Sequence, residues 1–246
     1  MSKKSSWKLH KFIFRLDFEP DFRLVSQFGN IANAIWNKVK DNKAEKWKIE
    51  LSNDVTVSCI VESSEDKVFA QMKFGFNNAT IIVEHSRGLC LQELASTKLL
   101  NAFSDFWQML TSDFGVKISR YLRIGSRFWA IKESGCSFAD VVEKFSSNML
   151  VLQPLKDSLA INTNDLAYVF EGSDGTDNLV RIMTGPYQNA EFKKYFNFVS
   201  PEKSVGQIVD LDVSEKKQEI HNLKIFSMIS AKATKAEEIL CKMWQI

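Results

Sequence analysis

The residues best placed for chemistry are Arg120, Arg123 and Arg127, carried on the run Lys117–Ile131 in the middle of the chain. A guanidinium offers planar, bidentate capture of phosphate or carboxylate. On a two-residue period, Tyr121, Arg123, Gly125, Arg127 and Trp129 share one face of a strand, and Ile118, Leu122, Ile124 and Phe128 share the other. Tyr121 and Trp129 beside two arginines could stack on a base or a ring, and Gly125 leaves room for a close approach. Arg15 and Lys11, on the less apolar face of an earlier strand, extend this candidate binding set. The alternative is structural: the arginines pair with acidic residues of a neighbouring strand or a covering helix.

Other chemistries find less support. The histidines, His10, His85 and His221, lie in separate elements with no metal-ligand spacing between them. Gly88-Leu89-Cys90 and Gly135-Cys136-Ser137 come nearest to a nucleophile on a turn, and Cys136 precedes a helix start that would favour its thiolate. Neither has an evident base. Asp210 and Asp212 share a strand face and could hold a divalent cation for phosphoryl transfer. They are equally what an outward strand face looks like when Val209, Leu211 and Val213 point inward. Walker and Gly-x-Gly-x-x-Gly motifs are absent. The sequence therefore implies no catalytic residue, no metal and no cofactor.

The elements that would position these residues are legible from periodicity. Trp7 to Phe18 alternates, with Phe12, Phe14, Leu16 and Phe18 on the buried side. Leu24, Phe28, Ile31, Ile35 and Val39 predict a helix within residues 22–40. A meander follows over residues 47–85, broken by Asn, Asp and Ser clusters. Leu91, Ala95, Leu99, Phe103, Phe106 and Leu110 predict one helix over 89–114, stopped by Gly115. Ser137 and Asp140 form a capping-box pattern ahead of a short helix. A second meander over residues 158–171, 178–187 and 204–214 precedes a helix from about Lys216 to Trp244. The reading is an α+β protein of two similar halves, 1–115 and 116–246, each running strand, helix, antiparallel meander, long helix.

Composition sets the bounds. With 246 residues, 45% hydrophobic and rich in Phe, the chain can build a large core. A net charge of +2 is too small to make the whole molecule a polyanion binder, although residues 1–50 carry eleven Lys/Arg against six Asp/Glu. The four cysteines form no C-x-x-C pair, and no apolar run approaches a membrane span, so a reducing, cytoplasmic setting is expected. Phe192, Tyr195, Phe196 and Phe198 crowd one loop, which should fold over a sheet edge or meet a partner.

Arg123-Ile124-Gly125-x-Arg127, after a long helix and an N-terminal Phe-x-Phe-Arg-Leu-Asp-Phe strand, resembles a sporadically distributed, uncharacterised family of bacterial proteins of about this length. The resemblance implies a bacterial α+β protein and brings no assigned activity. The expected function is a non-catalytic interaction or adaptor protein that binds another protein or itself. The alternatives are nucleic-acid binding through the basic N-terminal region and the Arg/aromatic face, and metal-dependent phosphoryl transfer by Asp210 and Asp212.

Overall fold

The computed structural model describes residues 7–42, 45–52, 56–63, 67–147, 165–173, 178–188, 195–197, 203, 205–218 and 224–243. Within them the chain is α+β. The strands are β1 (Lys8–Phe18), β2 (Lys46–Ser52), β3 (Thr56–Ser63), β4 (Val68–Phe74), β5 (Asn78–Leu89), β6 (Tyr121–Glu133), β7 (Tyr168–Ser173), β8 (Asn178–Gln188) and β9 (Val205–Gln218). They form one antiparallel sheet in the order β2-β3-β4-β5-β1-β6-β9-β8-β7. The helices are α1 (Arg23–Ser26), α2 (Phe28–Val39), α3 (Lys98–Ser112), α4 (Phe138–Ser147) and α5 (Ile225–Lys242), with a 3-10 turn at Leu91–Ser96.

The alternation of β1 fixes which face is dry. Phe12, Phe14, Leu16 and Phe18 are all buried and meet α2 through Ile31 and Ile35, α3 through Phe103 and Phe106, and α5 through Ile229 and Leu240. Phe103 stacks on Phe74 at 5.4 Å and meets Phe14 edge-on at 6.2 Å, so one aromatic of α3 bridges two strands. This core continues through Phe128 of β6 to Leu211 of β9. Each such side chain contributes about 1.5–3 kcal/mol by leaving water. A smaller cluster of Trp129, Ile131, Tyr187, Phe196 and Ile208 lies on the opposite face.

Three boundaries differ from the periodicity, each for a local reason. Residues 89–114 are not one helix: β5 runs on to Leu89, and Thr97, extended at φ −69 and ψ 135, separates the 3-10 turn from α3. The Thr97 hydroxyl donates to the Leu94 carbonyl at 3.0 Å, a side-chain bond that competes with helix propagation. The Gly115 stop is present, and its φ of +63 lets the Val116 N–H reach back to the Leu110 carbonyl at 3.1 Å. Helix α2 is likewise preceded by the separate turn α1, with Gln27 between them. The capping box forms: Ser137 N–H donates to the Asp140 carboxylate at 3.1 Å, and Asp140 N–H to the Ser137 hydroxyl at 3.2 Å.

Residues 117–120 are not part of β6, which begins at Tyr121. Its first turn of pairing contains a bulge. Phe18 lies opposite Tyr121 and Asp17 opposite Arg123, so Leu122 is an extra residue and the side-chain parity reverses there. Tyr121 consequently points into the helix-covered core, 4% exposed, edge-on to Phe18 and bonded to Trp107, while Leu122 is 41% exposed. Burial pushes the Tyr121 hydroxyl up to about 12.

Candidate functional site

On the face opposite α2, α3 and α5, the strands carry charged residues in register. One row runs Glu171, Arg181, Asp212, Arg127, Ile13 and Ile82 across β7, β8, β9, β6, β1 and β5. The proposed binding cations sit here, already engaged. Arg127 donates both Nε and Nη2 to Asp210, the Nε bond measuring 2.6 Å, with Asp210 3% exposed. That bidentate pairing, opposed by partial burial, raises the Arg127 guanidinium above its ordinary value. Arg123 bonds Asp212 at 2.7 Å, and Arg15 bonds Asp17 at 2.7 Å. The Arg127 guanidinium also lies over Trp129 at 4.3 Å.

These contacts correct the sequence expectation residue by residue. Arg123, Arg127 and Trp129 do share a face, but Tyr121 leaves it through the bulge at Leu122 and belongs to the core. Trp129 is itself 6% exposed, and is a packing residue rather than an open stacking platform. Gly125 marks no close approach, because a methyl there would make only ordinary contacts with Arg123 and Ser214 at 3.5 Å. Asp210 and Asp212 are occupied as the arginines' partners. Among the described residues no three His, Cys, Asp or Glu side chains converge as metal ligands.

Lys11 has the most internal role. It is 7% exposed, its Nζ lies 2.9 Å from Glu84, which is fully buried, and it donates to the Tyr195 carbonyl at 2.8 Å. Glu84 also accepts from the Asn197 N–H at 3.2 Å. A buried pair is tolerable only with such added bonds. Here the pair fastens residues 195–197 onto the sheet. Phe196 is 5% exposed and packs edge-on to His10 at 6.3 Å, so this aromatic is spent on the chain's own core rather than offered to a partner. Tyr195 is partly buried against the same cluster, and Phe192 and Phe198 lie outside the described residues.

Sequence reasoning missed His10 as well. Its Nδ1 lies 3.1 Å from the His85 carbonyl, across a wide bulge opposite residues 85–88 that Gly88 closes at φ +70. Burial lowers His10 from 6.5 to about 4, against the opposing pull of Glu133. Its position between the apolar residues Leu9 and Phe12 was the one sequence signal for this. Cys136 is exposed and receives a 3.6 Å contact from Lys144; His221 is outside the described residues.

The two ends of the sheet differ. Edge strand β2 presents Lys46, Lys48 and Glu50, the latter two ion-paired, while Trp47 and Ile49 pack inward. Edge strand β7, Tyr-Val-Phe-Glu-Gly-Ser, carries no Lys, Arg or Pro and is exposed from Val169 to Ser173. Val169 is 54% and Phe170 51% exposed, and beside them Phe170, Val180, Ile182 and Ile239 line a hollow of about 380 Å³ with Glu171 and Lys235 at its rim. Among the described residues no strand pairs with the outer side of β7. Its row of backbone donors and acceptors is a template for another strand.

No protein-family model matches this sequence, and the chain has no significant match among curated proteins or among solved structures.

Proposed function

We propose that this protein is a non-catalytic interaction module of a bacterial cytosolic system, and that it docks a partner by strand addition along β7. One observation carries the reading: among the described residues the outer side of β7 is unpaired, and the strand exposes Val169 and Phe170 and lacks the lysines that blunt the opposite edge. Main-chain hydrogen bonds from an added strand would supply affinity, and the hollow beside Phe170 would supply selectivity. The internal pairing of Arg15, Arg123 and Arg127 argues for this reading over nucleic-acid binding, since a cation committed to a carboxylate releases few counterions from phosphate.

The same reading includes the two-halved architecture, with β1 and β6 as corresponding first strands on either side of 115/116. It is supported by the placement of β5 beside β1 and of β9 beside β6, and by a long helix after each of those last strands. Among the described residues no helix is long and apolar enough to cross a membrane.

The test is affinity capture from cells with the intact chain, Phe170→Lys on β7 and Leu51→Lys on β2. The reading requires a defined partner, this chain included, that is retained by the wild type and by Leu51→Lys and lost with Phe170→Lys. Equal retention by all three proteins would refute it.

A further inference from the structure

We infer that the occupant of the β7 edge is the β7 edge of a second copy, paired antiparallel about a two-fold axis through Phe170, so that two sheets join into one. This rests on the reading of β7 as a docking edge and names its partner.

The argument is one of register. A two-fold perpendicular to the sheet keeps the helices of both copies on one side, and directly opposed residues then share a face. The axis must pass through a residue, and β7 offers three near its middle. Centring on Glu171 sets two carboxylates directly opposite each other, which is destabilising. Centring on Val169 leaves only Tyr168–Phe170 paired within the strand. Centring on Phe170 uses Tyr168–Gly172, five of the six residues.

That register matches its side chains well. Phe170 meets Phe170 on the helix side, at the apolar hollow of Val180, Ile182 and Ile239. Tyr168, already stacked near Phe170 at 6.4 Å, covers Gly172 of the other copy, and an aromatic across from a glycine restores packing that the glycine lacks. Val169 faces Glu171, so the two carboxylates lie diagonally apart. Isologous pairing of this kind closes on itself, and the Lys46 and Lys48 edge does not extend it.

The experiment combines solution mass with cross-linking of the full chain, the latter in a Cys136→Ser background because Cys136 is exposed. Directly opposed residues approach to about 4.5–5.5 Å between Cα atoms, within disulfide reach. The expected results are a wild-type mass twice that of the chain, a monomer for Phe170→Lys with unchanged circular dichroism, and a disulfide dimer for Phe170→Cys. Val169→Cys alone stays uncross-linked, but links when mixed with Glu171→Cys. A wild type that remains monomeric at all concentrations, a dimer indifferent to Phe170→Lys, or preferential self-linking of Val169→Cys overturns the inference. If the wild type is monomeric yet Phe170→Lys still abolishes partner capture, self-pairing falls and β7 docking stands. If capture is also indifferent, both fall.

Discussion

The β2 and β7 edges close the same sheet and have been treated in opposite ways. Both have a row of backbone groups facing outward, which is a hazard unless something discourages pairing. On β2, Lys46 and Lys48 alternate with Trp47 and Ile49, so charge faces out while the apolar side chains reach the main core, Trp47 meeting Phe106 edge-on at 6.0 Å. On β7, Val169 and Phe170 expose apolar area on both faces. The lesson is that exposure alone does not mark an interface, since Leu51 of β2 is as exposed as Phe170. What differs is lysine: β2 carries Lys46 and Lys48, whereas the one charged residue of β7 is Glu171.

The comparison presupposes one rigid sheet between the edges, and the buried Lys11–Glu84 pair is the sharpest place to break it. Glu84→Ala strands an unpaired lysine and releases residues 195–197, and should cost about 3–5 kcal/mol by urea denaturation. Glu84→Ala within 1 kcal/mol of the wild type would deny the pair that role.

Acid should loosen the same region. His10 is neutral in the fold down to about pH 4 but takes up a proton near 6.5 when unfolded. The unfolded chain thus binds more protons between those values, so stability is fully present above pH 6.5 and falls as pH drops toward 4. The loss is on the order of 3 kcal/mol for this group. Glu133, His85 and Lys8 act on His10 and set the background. His10→Gln should flatten the pH dependence in that window, and an unchanged slope would exclude His10 as its source.

At the edge itself, Phe170→Lys sets two lysines opposite each other and should weaken association at least tenfold, about 1.4 kcal/mol, with the circular dichroism of the chain unaltered. The converse swap, Lys46→Val with Lys48→Val, should make β2 sticky, read as concentration-dependent association that the wild type's β2 does not show. The smallest effect belongs to the far-face ladder: Arg123→Ala breaks a half-exposed pair and should cost under about 1 kcal/mol.

Much of the framework was legible because it is local. The alternation of Phe12, Phe14, Leu16 and Phe18 named the buried face of β1, the Ser137–Asp140 spacing named a cap, and the structural alternative for Arg123 and Arg127 named the type of partner they have. What the chain concealed is non-local. A single extra residue at Leu122, visible only in the pairing of β6 with β1, moves Tyr121 to the other side of the sheet. Lys11 and Glu84, far apart in sequence and each ordinary in context, meet because β1 and β5 are neighbours. The open edge was also hidden, since strand order and not composition decides that β7 comes last.

Hydrogen–deuterium exchange on the associated protein tests the central claim most directly, because it reads both edges in one sample. Backbone amides of β7 should exchange more slowly in the associated state than in the dissociated one, with β2 amides exchanging equally in both. Protection appearing at β2, or β7 exchanging at the same rate in both states, would contradict it.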